Sequence, residues 1–251
     1  EGVITEILGH VNDPGVDILS IVRAYGLPEA FPKDIMRAAQ AIPETVPEDT
    51  IARRRQHDFR QLTTITIDGE DAKDLDDAVS LEYDETTKQY RLYVHIADVS
   101  EYVTEHSLID QEALNRGTSV YLTDRVIPML PRVLCNGICS LNPEEDRLTL
   151  SCVMDIDASG KILNHEICES VIRSDKRMSY SGVHAILTNT ELTNGEDIVS
   201  YLPYKPLLER MYELSQLLRK RRYERGGIDF DFPETKIILD AQGHVTDIHP
   251  Y

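Results

Sequence analysis

Three runs between Leu62 and Val99, LTTITI, AVSLEY and YRLYVHIADV, alternate apolar and polar residues. That period of two commits the stretch to β-strands with one face in a core. The second and third runs are joined by DETTK, a turn short enough to make them antiparallel neighbours. Between the first and second lies IDGEDAKDLDDA, so a crowded acidic segment must start and finish at a sheet. From Asp68 to Asp77 it carries six carboxylates, Asp68, Glu70, Asp71, Asp74, Asp76 and Asp77, against the single positive charge of Lys73. Carboxylates this close repel one another, so they are either spread into water or held for a cation.

The rest of the chain fits an α+β class, a mostly antiparallel sheet with flanking helices. EGVITEIL alternates like the last strand of a small β domain, and DPGVDILSIVRAYGLP reads as a turn followed by a short amphipathic helix. PEAFPKDIMRAAQAIPETVPEDTIARRRQHDF holds two helix-length segments, each opened by Pro and acidic residues, and reads as a helical connector. Its basic run, Arg53 to Arg55, is expected to be a solvated helix face, with phosphate contact as the alternative. TLSCVMDI and KILNHEICESVIRS form a hairpin around DASGK, and SYSGVHAILT a short helix. In KPLLERMYELSQLLRKRRYERGG, Leu207, Met211, Leu214 and Leu218 recur at helical spacing, and Gly226 with Gly227 supplies the stop. Arg219 to Arg222 complement the dipole at the end of this helix or contact RNA. IDFDFPETKIILDAQGHVTDI returns to strands, with a turn at AQGH.

With 251 residues, 41% of them hydrophobic, the chain can bury a sizeable core. It has no apolar run approaching the roughly 20 residues that span a bilayer, and its first residues do not make a signal peptide. The expectation is a soluble, cytoplasmic protein with no membrane partner. Both ends read as cuts within something longer. Cys135, Cys139, Cys152 and Cys168 match neither a zinc pair nor a disulfide framework and read as small thiols, partly buried for the pair in CNGIC. The net charge of −18 counts against nucleic acid, whose binders usually show a basic footprint. A metal-dependent nuclease partly escapes that objection, because its site must be acidic to hold the ions that meet the phosphates.

The acidic segment is no EF-hand: counted from Asp74, positions five and six are Ala78 and Val79, where an oxygen ligand and a glycine are required. Walker A, GxGxxG and HExxH patterns are absent. Ala72 and Leu75 interrupt the charges, which sets the segment apart from a solvated acidic loop. Asp74 and Asp76 point to one side, Asp77 to another, and Asp68 can curl back across Gly69. Such a hollow, lined by oxygen and lacking His or Cys, suits Mg²⁺ or Mn²⁺, and paired ions of this kind hydrolyse phosphodiesters.

The spacing of Asp68, Asp74, Asp76 and Asp77 is that of a D-x5-D-x-D-D motif, and the words around it occur in a fixed order: TIDGEDAKDLDDAV, HIADVSEYV, NRGTSVYL, VIPMLP, SLNPEEDRL and ERGGIDF. In these the chain resembles the ribonuclease II and ribonuclease R exoribonucleases, and most of all the ribonuclease R type. The resemblance implies residues 1–31 as the end of a cold-shock-type OB β-barrel, 32–61 as a helical connector, and 62–251 as the N-terminal part of an RNB-type catalytic domain. It implies processive 3′ to 5′ hydrolysis of single-stranded RNA to nucleoside 5′-monophosphates with Mg²⁺, Mn²⁺ being a possible substitute. Asp68 and Asp77 look like ligands of the main metal, Asp74 and Asp76 like partners of the second metal and the attacking water, and Asp76 like the aspartate most critical for turnover.

Tyr121 and Phe230 look like the aromatic pair that stacks on the terminal bases, Phe230 having a competitor in Phe232. Arg116 either holds a backbone phosphate or caps a turn, and Asp98 reads as a structural hydrogen-bond acceptor. The family's catalytic domain continues beyond these motifs into a segment whose arginine stabilises the transition state, and it is flanked by RNA-binding OB domains. The chain alone is therefore expected to be weakly active or silent. Two rivals stand beside this reading: a non-catalytic RNA-binding protein with a structural cation in the acidic loop, and an interaction module whose acidic loop is merely solvated.

Overall fold

The computed structural model of the chain describes residues 2–190, 197–230 and 235–250. Its helices are α1 (Val16–Ala24), α2 (Lys33–Gln40), α3 (Glu48–Arg53), α4 (Leu108–Arg116), α5 (Tyr180–Thr188) and α6 (Lys205–Glu224). Its strands are β1 (Thr64–Asp68), β2 (Asp77–Asp84), β3 (Gln89–Ala97), β4 (Val120–Tyr121), β5 (Val126–Ile127), β6 (Asp146–Ile156), β7 (Ile162–Arg173), β8 (Lys176–Ser179), β9 (Thr235–Leu239) and β10 (Val245–Pro250). They divide into two compact units: Gln40–Glu105 with Arg132–Ile228, and Glu1–Ala39 with His106–Pro131 and Asp229–Tyr251.

The first unit is built on a six-stranded sheet in the order β7-β6-β3-β2-β1-β8. All neighbours are antiparallel except β1 with β8. Each tight turn is fixed by the aspartate that opens it. Asp84 Oδ1 accepts from the N–H of Thr86 and Thr87 between β2 and β3, and Asp157 Oδ1 accepts from Ser159 and Lys161 between β6 and β7. Gly160, at φ +77°, lies against Leu217 and Arg221 of α6, where a side chain would be both strained and crowded.

One face of the sheet is apolar and lies under the helices. Ile65 and Met178 pack with Ile186 of α5 and Leu208 of α6, and Tyr90 and Ile156 pack with Leu214. The buried stripe of α6 runs through Leu208, Met211, Leu214 and Leu218, so Leu208 lies deeper than the Leu207 named from spacing. The other face carries a buried polar ladder, which the alternating pattern does not announce. Thr64 meets Ser80 at 2.7 Å, Ser80 meets His95 Nε2 at 3.2 Å, His95 Nδ1 meets Ser151 at 2.6 Å, and Thr149 meets Ser170 at 2.7 Å. Burial pushes His95 down to about 4, which keeps the ring neutral in this network. Phe59 covers it, its ring centroid 5.3 Å from that of Tyr93 and 5.9 Å from that of His95.

Two expectations are corrected. Arg54, in the middle of the basic run, is buried rather than solvated. Its Nη2 donates to Asp98 at 2.6 Å and Glu101 at 2.9 Å, while Nη1 reaches the carbonyls of Thr149 and Ser170. Carbonyls of the sheet need a donor there, and the two carboxylates compensate its charge. Nor does EGVITEIL form a strand within the described residues: Gly2 to His10 have no ladder, and Val3, Ile4 and Ile7 are 83–89% exposed. Alternation makes a strand only where a partner strand supplies the ladder. Asp98 is the structural acceptor anticipated, and helices α1, α2 and α3 stand where the turn and proline signals put them.

Candidate active site

The acidic segment is not a loose loop. Asp68 is the last residue of β1 and Asp77 the first of β2, so two of the four aspartates are fixed by the sheet itself. Asp77 pairs across with Ile96 of β3. Between them the chain is pinned from inside by Leu75, 2% exposed, which packs with Ala78, Ala97, Leu141 and Ile172, with Ala72 beside it. These are the apolar residues that break the run of charge. The Asp76 carbonyl accepts from the Ala97 N–H at 2.9 Å, and the Ala72 N–H closes a turn onto the Gly69 carbonyl at 3.1 Å. Leu75 goes in, so Asp74 and Asp76 on either side are turned the other way.

The electrostatics show the four carboxylates acting on one another. Burial raises the Asp68 carboxyl, Asp77 raises it further, Arg177 pulls the other way, and Asp76 and Asp74 add to the rise. Asp76 is reached by solvent, yet the protein packed around it and the charges of Asp74 and Asp77 push its carboxyl up as well. Asp68 Oδ2 is buried with no hydrogen-bond partner. A buried carboxylate oxygen left in that state costs about 1–3 kcal/mol or more, which a cation would recover. Among the described residues no three His, Cys, Asp or Glu side chains close into a ready ligand cluster. The donor set nonetheless fits a hard divalent ion: oxygen ligands only, mutually repelling, with one oxygen of Asp68 buried and unsatisfied.

Arg177 of β8 was not singled out from the sequence. Its Nη2 donates to the carbonyls of Glu70 at 2.8 Å and Gly69 at 3.4 Å, so it braces the first turn of the acidic segment and is the cation acting on Asp68. The parallel pairing of β8 with β1, which sets Thr66 opposite Arg177, brings it there. No local spacing carries that information. The turn Leu134–Ile138 also faces the segment, since burial and then the charge of Asp74 raise the Cys135 thiol. Cys135 and Cys139 are thiols outside any disulfide. A cleft of about 960 Å³ lined by Val46, Ile51, Leu134, Arg147 and Arg173 contains none of the four aspartates.

The remaining predicted site residues belong to the other unit. Tyr121 ends β4 and is 69% exposed, and Phe230 follows α6 and is 71% exposed. Phe232 lies outside the described residues. The Arg116 side chain is 2% exposed: Nε donates to Glu112, Nη1 to the carbonyls of Pro28 and Pro128, and Nη2 to that of Ala30, with the guanidinium 3.6 Å from the Phe31 ring centroid. Those contacts make it a clamp on loop carbonyls, the turn-capping reading of the two.

A mostly antiparallel sheet with Asp68 and Asp77 at two strand ends, and Asp74 and Asp76 on the segment between them, defines an acidic site on an α+β scaffold. Comparison with known proteins gives that scaffold its family. A model of the RNB domain matches residues 56–251, and one of the cold shock domain matches residues 1–32. Ribonuclease R of Thermotoga maritima is 46% identical over 253 residues, covering 100% of this chain and 34% of the relative. Ribonuclease R 1 of Lactococcus lactis is 46% identical over 243 residues, covering 97% of the chain and 29% of the relative. Among solved structures, Mycoplasma genitalium RNase R in complex with ribose methylated single-stranded RNA superposes with a TM-score of 0.87 at 30% identity, over 98% of this chain and 37% of that one. The chain belongs to the RNB-domain family of ribonucleases II and R, and is most like ribonuclease R. It spans about a third of the length of the curated relatives it matches.

Proposed function

We propose that the protein carrying this chain is an exoribonuclease that hydrolyses single-stranded RNA from the 3′ end to nucleoside 5′-monophosphates at the Asp68–Asp77 site, in the cytoplasm. The observation that carries the reading is the aspartate quartet itself, two carboxylates at strand ends and two on the segment between them, with a buried, unsatisfied oxygen on Asp68. Asp68 and Asp77 would hold one Mg²⁺, and Asp74 and Asp76 a second; bound there, such ions acidify a water and stabilise a leaving oxygen. The residues of the chain then do the rest. Asp76, its carboxyl raised by burial and then by Asp74 and Asp77, orients the attacking water and accepts its proton. The water oxygen bonds to phosphorus, the bond from phosphorus to the 3′ oxygen of the penultimate nucleotide breaks, and the terminal nucleotide leaves as a 5′-monophosphate. Arg177, by bracing the Gly69 and Glu70 carbonyls, keeps the Asp68 end of the site in place. Tyr121 and Phe230 are the stacking residues of this reading, a contact indifferent to base identity. The domains are 1–31, 32–61 and 62–251, the first the end of a cold-shock barrel.

The test is a denaturing-gel time course on 5′-labelled single-stranded RNA with Mg²⁺, using the full-length protein and its Asp76→Asn form. Shortening to a small end product, slowed more than about 100-fold by the substitution while RNA is still bound, is the expected result. RNA that is bound but left intact by the unaltered protein would hand the site to the RNA-binding alternative.

A further inference from the structure

The run SLNPEEDRL takes no part in this chemistry, yet it grips the acidic segment at its centre. Ser140 is fully buried. Its hydroxyl accepts from the Leu75 N–H at 3.0 Å, and its own proton faces the Lys73 carbonyl and Asn142 Oδ1, each 3.2 Å away. The next residue, Leu141, donates its N–H to the Leu75 carbonyl at 2.8 Å. Lys73 and Leu75 flank Asp74, and Leu75 and Asp77 flank Asp76. The peptide planes that aim both aspartates are thus tied to one side chain and one amide of this run.

The other end of the run fixes the backbone that carries that side chain. Arg147 is buried; its Nε donates to the Ser140 carbonyl at 2.7 Å, Nη2 reaches the Gly137 carbonyl at 3.3 Å, and the same nitrogen pairs with Glu145. Burial of Leu75 alone would set how deep the segment sits, but an apolar contact is non-directional and leaves the flanking peptides free to rotate. A hydrogen bond on each side of Asp74 removes that freedom, and losing its partner would strand a buried N–H and a part-buried carbonyl.

We propose that Ser140, held by Arg147, is a positioning residue that aims the Asp74 and Asp76 carboxylates. The inference rests on the metal-dependent reading above for its purpose, while its geometry stands apart from that reading.

The test uses the full-length protein and its Ser140→Ala and Ser140→Thr forms, with two readouts: hydrogen exchange of the Leu75 amide against the amides of β3 and β6, and Mn²⁺ affinity by titration. In Ser140→Ala the Leu75 amide is expected to exchange at least about 10-fold faster while β3 and β6 keep their protection, and the Mn²⁺ dissociation constant to rise about 10-fold or more, as loss of a group supporting metal ligands does. Ser140→Thr, which keeps the hydroxyl, moves both values back toward those of the unaltered protein. Unchanged exchange at Leu75 overturns the proposal, and so does faster exchange with Mn²⁺ affinity intact, since Ser140 would then be only structural. An unaltered protein that binds no Mn²⁺ removes the metal reading itself, and with it the purpose assigned to Ser140, an outcome plainly distinct from the other two.

Discussion

Asp68 and Asp98 both sit at strand ends of one sheet, Asp68 closing β1 and Asp98 following β3, and they are treated in opposite ways. Asp98 is 4% exposed, accepts from Arg54 at 2.6 Å and from Ser100 at 2.6 Å, and so has a donor on each oxygen. Asp68 keeps one buried oxygen without a donor and faces three further aspartates. Folding alone would favour the first arrangement everywhere, because an unsatisfied buried carboxylate oxygen is costly. In the proposed reading the second persists because a cation completes it: Asp98 is satisfied within the chain, and the open oxygen of Asp68 is the one the proposed ion would take.

The comparison breaks most severely at Arg54. Arg54→Ala would leave Asp98 buried and uncompensated and take one donor from each of the carbonyls of Thr149 and Ser170, at an expected cost of about 3–5 kcal/mol in urea unfolding. A loss under 1 kcal/mol would mean that Asp98 is satisfied by some other route.

The polar ladder comes next. His95 is held neutral with its pKa down near 4, against an ordinary 6.5, so the unfolded chain binds a proton more readily over that interval. Stability is therefore complete above about pH 6.5 and falls as the pH drops toward 4, by about 3 kcal/mol in all from this ring. A His95→Gln form, whatever its stability at pH 7, should lose that part of the slope. If its slope between pH 6.5 and 4 matches the unaltered protein, His95 is not the group responsible.

Smaller effects belong to the residues proposed for RNA and for the metal. Tyr121→Ala removes a largely exposed ring, so thermal stability should move by less than about 0.5 kcal/mol while binding of single-stranded RNA weakens by about 1–3 kcal/mol. Equal losses in both measurements would make Tyr121 a packing residue. Asp68→Asn is the mildest and the most telling, for it should stabilise. A carboxyl whose pKa is raised by folding makes the native state progressively less favourable as pH rises from the unfolded value through the folded one. Removing the charge should therefore gain on the order of 1 kcal/mol at pH 7 in EDTA.

What could be read from the sequence follows the range of the forces involved. The hairpins and α6 were legible because turn chemistry and apolar period are local, and the aspartate quartet because it lies within ten residues. The segment EGVITEIL alternates yet forms no ladder among the described residues, because alternation is a statement about pairing. Arg54 was misjudged because its burial is set by Asp98 and Glu101, more than forty residues away. Arg177 and Ser140 were silent for the same reason: a parallel strand pairing and a hydroxyl reaching across 65 residues leave no mark on neighbouring positions. The motif SLNPEEDRL was visible as a word, while what it does was not.

The most direct test of the account is the change in melting temperature of the full-length protein on replacing EDTA with saturating Mn²⁺ at pH 7, measured for the unaltered chain and for Asp68→Asn. If the quartet is left incomplete for a cation, Mn²⁺ at about 100 times its dissociation constant adds about 2.7 kcal/mol, a rise of about 2 °C in a protein about three times the length of this chain, and much less in Asp68→Asn. Equal shifts in the two proteins, or none in either, would contradict it, for the strained carboxylates would then be waiting for nothing.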